Sequence, residues 1–336
     1  MTPMFVSAED AARLLPYRDC VPLMREAMIA LSAGRTRQLL RGILDLPEGR
    51  AFGVMPGAML DDGAFGAKLV SVYPDKFAKG ERSHEGVVVL FDSQSGAAAA
   101  ILDAGEITAI RTAAASAAAT DALARADART LAILGYGEQA RRHVEAISCV
   151  RAISRVTVWG RAPDKARAFA DRVGAQAAET VEEAVADADI ICTLTAAAEP
   201  ILLSRWVTDG AHINAVGSSR AGPSEIDNAL VARARFFADH REGVLAQGAE
   251  FIRAREAGLI GDDHLLGEIG EVMAGSIEGR ILRRRCHALQ IARQHRPGPG
   301  GRAPYRAKAA GAVTLAPGLH RAPPVAIWAV PKGAGL

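Results

Sequence analysis

Leu131-Ala-Ile-Leu-Gly-Tyr-Gly-Glu-Gln-Ala140 is the stretch that decides the fold. Its first four residues are apolar and predict a short buried strand, and the sequence after Ala140 continues in a helical pattern. Between them lies Gly135-x-Gly137-x-x-Ala140, the dinucleotide-binding fingerprint with alanine in its third position. The first glycine permits a tight turn, the second lets the backbone approach a pyrophosphate, and a helix N-terminus attracts phosphate. The alternative interpretation is a plain glycine turn, but the strand before it, the helix after it and a second strand at Arg155–Trp159 favour a dinucleotide site.

The composition is that of a globular chain with room for about two domains. The chain has 336 residues, of which 49% are apolar and 23% charged. Charged residues near the N-terminus exclude a secretory signal, and no apolar run approaches the roughly 18 residues of a membrane span. The four cysteines are scattered without a CxxC pair, which predicts buried or idle thiols in the cytoplasm and no metal site.

The amino-terminal third reads as a separate α+β unit. Residues 7–34 have helical spacing, and Ser7 is positioned to cap the first helix. Strands separated by glycine, proline and aspartate turns then predict an antiparallel or mixed sheet. These strand candidates lie at 41–46, 51–57, 66–74 and 86–91, and an alanine-rich helix is predicted at 112–126.

After the fingerprint, strands and helices alternate, which predicts a doubly wound parallel sheet of the Rossmann type. Helices are predicted at 163–173, 180–187 and 224–234, and strands at 189–195, 211–217 and 235–239, the last of these being the final strand. The predicted division is therefore a substrate-binding and dimerisation domain at 1–115, a nucleotide-binding domain at 116–280, and a tail at 281–336.

Several further motifs, in order, resemble the ornithine cyclodeaminase/mu-crystallin family of nicotinamide-dependent enzymes over residues 1–280. They are Val54-Met-Pro-Gly57, Lys68-Leu-Val-Ser-Val-Tyr-Pro74, Ser83-His-Glu-Gly-Val-Val-Val-Leu-Phe-Asp92, Glu106-Ile-Thr-Ala-Ile-Arg111-Thr-Ala-Ala-Ala-Ser116, the fingerprint, and Gly210-Ala-His-Ile-Asn-Ala-Val-Gly217. The resemblance implies a homodimer formed through the amino-terminal domain, with the active site in the cleft between the domains.

The resemblance places a substrate carboxylate at Arg41, Lys68 and Arg111. Arginine offers a carboxylate a bidentate fork, and a cation within an apolar or small-residue stretch, as at Lys68 and Arg111, needs a partner. The alternative is three solvated surface cations. Lys68, Arg111 and His84 are the predicted catalytic residues, His84 because its pKa suits proton donation; the alternative for His84 is an ordinary loop histidine.

The fingerprint and the resemblance together predict the cofactor site. Its residues are Ser83, Thr112, Gly135, Tyr136, Gly137, Glu138, Gln139, Arg161, Thr195, Val216, Gly217 and Ser219. NAD-selective sites place a carboxylate near the end of the second strand, where this chain reads Val158-Trp-Gly-Arg161. Because Arg161 suits a 2′-phosphate, NADPH is the predicted cofactor and NADH the second choice. The alternative is an exposed arginine that leads into a helix.

Ser219 decides which reaction of the family is predicted. Ornithine cyclodeaminases have an aspartate two residues beyond the glycine at 217, whereas the ketimine-reducing branch has a serine there, as here. The resemblance therefore implies NADPH-dependent reduction of a cyclic ketimine carboxylate, such as Δ1-pyrroline-2-carboxylate or Δ1-piperideine-2-carboxylate. The alternatives are an ornithine cyclodeaminase, an alanine dehydrogenase, or a non-catalytic protein that binds NADPH or a small ligand.

The tail departs from the family pattern. Residues 281–336 contain ten Lys and Arg and no Asp or Glu, so residues 1–280 hold 30 basic against 38 acidic residues, a net charge of −8. One interpretation is a disordered basic tail that binds an acidic partner. The other is a frameshift near Arg280. Permitted codons for residues 286–301 can be chosen so that the frame one base over reads Val-Thr-Leu-Tyr-Lys-Ser-Leu-Gly-Asn-Ile-Val-Gln-Asp-Leu-Ala, which is what the resemblance implies for this segment. The tail is predicted to be disordered, and neither nucleic acid nor a membrane is predicted as a partner.

Overall fold

The computed structural model describes residues 2–39, 42–61, 63–78, 84–217, 222–281 and 286–291. The amino-terminal unit begins with a strand, two helices and then a run of strands. In chain order these are β1 (Met4–Val6), α1 (Ala8–Leu14), α2 (Tyr17–Ser32), β2 (Thr36–Gln38), β3 (Gly42–Asp45), β4 (Ala51–Met59), β5 (Phe65–Val72), α3 (Pro74–Ala78), β6 (His84–Phe91) and β7 (Ala98–Asp103). As the sequence predicts, Ser7 caps α1, and its hydroxyl accepts a hydrogen bond from the Asp10 amide at 3.1 Å.

These strands form one mixed sheet with the order β1-β7-β6-β5-β4-β2, and β3 also pairs with β4. β1, which the sequence pattern did not predict, runs parallel to β7, and the other pairs are antiparallel. Lys68 in the middle of β5 is opposite Met55 of β4 and Val88 of β6. Val88 is buried against the helical side of the sheet, so Lys68, its cross-strand neighbour, points to the same side.

A long helix, α4 (Ala104–Leu123), follows β7 directly. Asp103 caps it, because its carboxylate accepts the Glu106 amide hydrogen at 2.7 Å. The helix begins eight residues before the predicted start at 112, and the predicted domain boundary at 115/116 lies inside it. Its alanines from 113 to 119 are almost fully buried, which lets neighbouring helices pack closely. A single helix therefore packs against both units and connects them.

The second unit contains eight strands and seven helices among its described residues. They are β8 (Thr130–Leu134), α5 (Glu138–Ser148), β9 (Arg155–Trp159), α6 (Pro163–Val173), β10 (Gln176–Ala177), α7 (Val181–Val185), β11 (Ile190–Thr193), β12 (His212–Ala215), α8 (Asn228–Arg233), β13 (Arg235–Ala238), α9 (Arg241–Gln247), α10 (Ala249–Glu256), β14 (Leu265–Glu268), α11 (Ile269–Ala274) and β15 (His287–Gln290). Short 3-10 helices lie at Pro47–Gly49, Ser204–Trp206 and Asp262–His264.

All eight strands are parallel, in the order β10-β9-β8-β11-β12-β15-β13-β14. From β8 the chain moves outward on one side to β10 and then returns to β11 on the other side. The strand order reverses between β8 and β11, and such a switch point is where doubly wound sheets bind ligands at the carboxyl ends of their strands. The predicted fold class is confirmed by this parallel sheet and the mixed sheet of the amino-terminal unit.

The carboxyl-terminal part of the sheet differs from the prediction. β13 is not the last strand, because β14 forms one edge of the sheet and β15 lies between β12 and β13. β15 falls inside the tail that was predicted to be disordered, and all four of its residues are buried. A central strand is covered on both faces and needs no polar–apolar alternation, so the absence of an amphipathic pattern did not exclude one here.

α11 joins the second unit back to the first. The Arg25 guanidinium of α2 donates to the Met273 carbonyl at 2.9 Å, and the Ser32 hydroxyl donates to Glu268 at 2.6 Å. A Cβ at Gly270 would lie 2.0 Å from the Met28 carbonyl oxygen, so only glycine permits this approach of α11 to α2. Among the described residues, no helix combines the length and the apolar character that crossing a membrane requires.

Two histidines meet in the middle of the parallel sheet. His212 of β12 and His287 of β15 are paired in register, and both are fully buried. Burial lowers the pKa of His212 to about 3, and the charges of His287, Arg280 and Arg151 act in the same direction. The His212 imidazole is therefore neutral in the folded protein at any pH near neutrality.

Because the pKa of the buried His212 is lowered, we expect the free energy of unfolding to decrease in mild acid. Below about pH 6.5 the unfolded chain binds a proton at residue 212, whereas the folded chain does so only near pH 3. The free energy of unfolding should therefore fall as the pH is lowered through this window, by up to about 1.4 kcal/mol per pH unit. Urea unfolding at pH 7.5 and pH 5 measures the fall, and His212→Gln should reduce it. Equal falls in both proteins would contradict the assignment to His212.

Candidate functional site

The fingerprint forms the turn that the sequence predicts. Gly135 has a φ of 133°, and a Cβ there would lie 2.8 Å from the Leu194 carbonyl oxygen just past β11. Gly137 is the N-cap of α5, and a Cβ on it would meet no atom within 4 Å. Ala140 is completely buried. Open space therefore lies in front of the α5 N-terminus, at the switch point between β8 and β11, where its free N–H groups can bind a phosphate group.

The turn from Gly135 to Ala140 and the open space before it form the fingerprint cradle. Two other predicted residues flank this cradle. The Gln139 side-chain oxygen is buried without a hydrogen-bond partner among the described residues, and a bound ligand can supply the missing donor. Glu138 instead contacts the protein, because its carboxylate accepts hydrogen bonds from Arg141 and Arg142 at 2.9 and 2.7 Å. Arg142 also contacts Glu106 of α4 at 2.5 Å. This ion pair connects the fingerprint helix to the helix that both units share.

The end of β9 lies beside the cradle. The ring of Tyr136 covers Gly160 so closely that a Cβ there would be 2.1 Å from the ring. Arg161 follows and is exposed, and it makes no hydrogen bond or ion pair to the described part of the chain. Glycine at 160 therefore lets the tyrosine pack against the strand end, and the adjacent arginine is available to an anionic group. No carboxylate is present in this stretch, as the sequence shows.

Lys68 and Arg111 are both associated with one face of α4. The Lys68 ammonium donates to the Thr108 hydroxyl at 2.6 Å. Thr108 and Arg111 are three residues apart on α4 and thus share a face of the helix. Both cations are partly buried. Thr108 was not among the predicted site residues, although it lies within the Glu106–Ser116 motif that contains Arg111.

Arg111 also faces the edge of the parallel sheet that carries the cradle. Burial lowers the pKa of its guanidinium from the usual value, and the nearby carboxylate of Asp239 opposes this shift. Asp239 directly follows β13, at the carboxyl edge of the sheet. Arginine keeps its charge even when its pKa falls. A cation from the shared helix therefore lies near the carboxyl edge of the parallel sheet.

The other predicted residues have different surroundings. His84 begins β6 and is exposed, and it is four residues from Val88, the partner of Lys68, or about 13 Å along the strand. Thr112 is fully buried, and its hydroxyl donates to the Thr108 carbonyl at 2.7 Å. Arg41, Ser83 and Ser219 lie outside the described residues.

The loops after β11 and β12 meet at a buried carboxylate that the sequence pattern did not reveal. Thr195 donates to Glu225 through both its amide and its hydroxyl, at 2.6 Å each, and the Gly217 amide donates to the other oxygen at 2.7 Å. Val216, next to Gly217, is fully buried. Glu225 is thirty residues beyond Thr195, and no motif spacing marks it.

No cluster of three or more His, Cys, Asp or Glu side chains arranged to hold a metal ion is found within the described ranges. The described candidate residues instead comprise a glycine-rich turn at a helix N-terminus and two cations, Lys68 on β5 and Arg111 on α4. This combination suits a dinucleotide next to a small anionic substrate.

The model of the ornithine cyclodeaminase/mu-crystallin family matches residues 1–287. The chain belongs to this family. Ketimine reductase mu-crystallin of Mus musculus is 36% identical over 281 residues, covering 82% of this chain and 88% of the mouse protein. The predicted family, and the predicted class of enzyme as a reductase of this family, are thereby confirmed.

Solved structures with the same fold overlay most of the chain. Δ1-Pyrroline-2-carboxylate reductase of Thermococcus litoralis, in complex with NADH and L-proline, has a TM-score of 0.81 and 30% identity, over 86% of this chain and 92% of that one. An archaeal alanine dehydrogenase dimer with bound NAD has a TM-score of 0.80 and 26% identity, over 87% and 91%.

Proposed function

We propose that the protein reduces a cyclic ketimine carboxylate to the cyclic amino acid with a nicotinamide dinucleotide as the hydride donor. The observation that carries this proposal is the position of Arg111, a partly buried cation on the shared helix that faces the carboxyl edge of the parallel sheet. A small carboxylate held there lies between the two units, beside the switch point of the sheet. The similarity to a ketimine reductase and to a Δ1-pyrroline-2-carboxylate reductase supports the same reaction.

The fingerprint cradle fits the diphosphate of such a dinucleotide. The open space before Gly137, the free N–H groups of α5 and the orphan oxygen of Gln139 would hold and orient it. When bound, the dinucleotide supplies a hydride from its nicotinamide ring. The loops at Thr195 and Gly217 end on the same edge of the sheet and would contact its nicotinamide half.

The chain's own cations would hold the substrate and balance its charge. Arg111 would bind the carboxylate through two parallel hydrogen bonds, which fixes the direction of the adjacent C=N bond. Reduction adds a hydride to the imine carbon and a proton to the ring nitrogen. We assign the proton to the Lys68 ammonium, because Lys68 contacts the same helix face as Arg111, whereas His84 lies farther along the sheet.

A homodimer formed through the amino-terminal sheet is also part of the proposal. Phe65 and Phe91 point away from α4 and stack with ring centroids 5.3 Å apart. Leu44 lies on the same uncovered side, with 62% of its surface exposed. A second copy of the chain would cover this apolar face, and the similar alanine dehydrogenase is itself a dimer. The cytoplasm is the expected location.

A screen of nucleotide oxidation tests the function. The purified chain is mixed with NADPH or NADH and with cyclic imines that do or do not carry a 2-carboxylate, and the absorbance of the reduced nucleotide is followed. We expect rapid turnover with the carboxylates and only low rates with the imines that lack the carboxylate. Release of ammonia from ornithine would favour a cyclodeaminase. Oxidation of NADH in the presence of pyruvate and ammonia would favour an alanine dehydrogenase. Tight nucleotide binding without any turnover would favour a non-catalytic binding protein.

We expect the protein to prefer NADPH over NADH, because the exposed Arg161 follows the end of β9. If its guanidinium contacts the 2′-phosphate, Arg161→Ser should raise KM for NADPH about 10- to 100-fold and leave KM for NADH nearly unchanged. Arg167→Ser is the matched control, since Arg167 is an exposed arginine on α6 that pairs with Asp164. Equal effects of the Arg161 variant on both nucleotides would contradict this role.

A further inference from the structure

Glu225 is fully buried, and its carboxylate accepts hydrogen bonds from the backbone and hydroxyl groups of two separate loops. One carboxylate oxygen accepts the Thr195 amide and hydroxyl, and the other accepts the Gly217 amide. The two loops follow adjacent parallel strands, β11 and β12, and thus leave the sheet side by side. Both belong to the carboxyl edge beside the fingerprint turn, because Leu194 approaches Gly135.

The geometry around Gly217 shows how tightly the carboxylate fits between the loops. A Cβ at position 217 would lie 2.3 Å from the Glu225 carboxylate and 2.3 Å from the Thr195 carbonyl oxygen. Any other residue there would therefore displace either the carboxylate or the Thr195 loop. The glycine in the sequence motif that ends at 217 is explained by this contact and does not require a ligand.

A second buried carboxylate, that of Glu250, contacts the backbone of Glu225. Glu250 of α10 is also fully buried, and it accepts the Glu225 amide hydrogen at 3.0 Å. Its other oxygen accepts a hydrogen bond from the side-chain amide of Gln290, at the end of β15. The last described strand is thereby linked through two carboxylates to the loops of the candidate site.

We propose that Glu225 is a positioning residue, which fixes the Thr195 and Gly217 loops in the arrangement that receives the nicotinamide half of the dinucleotide. The inference rests on the proposed function for the identity of the ligand. Three donors from two loops converge on one carboxylate. No neutral side chain of the same size can accept these three hydrogen bonds at once. Burial raises the pKa of Glu225, and the hydrogen bonds from Thr195 and Gly217 oppose this rise.

The test compares Glu225→Gln with Glu250→Gln, since the two residues are equally buried and lose the same charge. In Glu225→Gln an NH2 group must face an amide hydrogen of one loop, so that hydrogen bond is lost. In Glu250→Gln the amide oxygen can still accept from the Glu225 amide. Its NH2 can donate to the Gln290 oxygen, which has no partner among the described residues, once the Gln290 side-chain amide turns over by 180°. Gly217→Ala should reproduce the effect of Glu225→Gln.

The first readout is amide hydrogen exchange of the nucleotide-free protein. Glu225→Gln should increase exchange at Thr195 or Gly217 at least tenfold, and Glu250→Gln should change it less than threefold. The second readout is nucleotide affinity by fluorescence titration, in which Glu225→Gln should weaken binding about tenfold and Glu250→Gln less than twofold. Thermal unfolding of both variants shows whether a general loss of stability accounts for the difference.

Unchanged exchange at both loops in Glu225→Gln would overturn the inference, as would faster exchange with unchanged nucleotide affinity. Equal losses of affinity in the two variants would also overturn it, because they would indicate a structural role alone. Failure of the unaltered chain to bind either nucleotide would instead overturn the proposed function and with it the role assigned to the loops. The exchange data would still decide whether Glu225 holds the loops together.

Discussion

Arg111→Met is expected to lower kcat/KM for a cyclic ketimine carboxylate about a thousandfold. Methionine keeps the length and the apolar stem of the side chain but removes the charge that we assign to the substrate carboxylate. A thousandfold loss corresponds to about 4 kcal/mol of transition-state stabilisation, which is reasonable for a charge-assisted bidentate contact in a buried cleft. Steady-state kinetics with saturating NADPH measure the change.

A substrate without the carboxylate separates a specific effect from a general one. On such an imine, Arg111→Met and the unaltered chain should react at similar, low rates, because the contact that the substitution removes does not exist. Arg111→Lys should recover part of the loss on the carboxylate substrate, since it restores the charge but not the fork. An equal fall on both substrates would contradict the assignment and would point to damage to the cleft, where Arg111 faces Asp239.

The fold was predictable where the apolar residues of strands and helices recur with a clear period. The strand that ends at Leu134, the helix after Gly137 and the alternation of strands and helices through β13 all follow from the sequence pattern. The errors concern short or central strands. β1 and β14 have three and four residues, too few for a period, and β15 is buried on both faces. α4 starts earlier than predicted because Glu106, Thr108 and Arg111 interrupt its apolar pattern.

The candidate site was predictable where a motif holds its residues close together in the sequence. The fingerprint glycines and Arg111 belong to such motifs, and the structure gives each a position that suits its predicted role. Glu225 and Asp239 were missed because their contacts cross many residues and exist only after β11, β12 and β13 are adjacent to their partners. Sheet topology, not sequence spacing, brings these groups to the cleft.

A chain in which the reading frame is restored after Arg280 is expected to be more stable and at least 100-fold more active than the present one. The family match ends at residue 287, within the segment where the frame is proposed to shift. β15 places the Gln290 oxygen in the interior without a partner among the described residues, and it sets His287 beside His212. Such buried polar groups destabilise a sheet.

The alternative frame replaces this segment by Val-Thr-Leu-Tyr-Lys, whose first four residues favour a central strand. Its lysine falls at the junction of residues 290 and 291, where the Gln290 amide now contacts the buried Glu250 carboxylate. A cation there would stabilise the link from β15 to Glu225 and the cofactor loops. Thermal unfolding, nucleotide titration and imine reduction with both chains measure the gain. An intact single frame in the resequenced gene, together with no gain in the altered chain, would contradict the frameshift and favour a genuine basic tail.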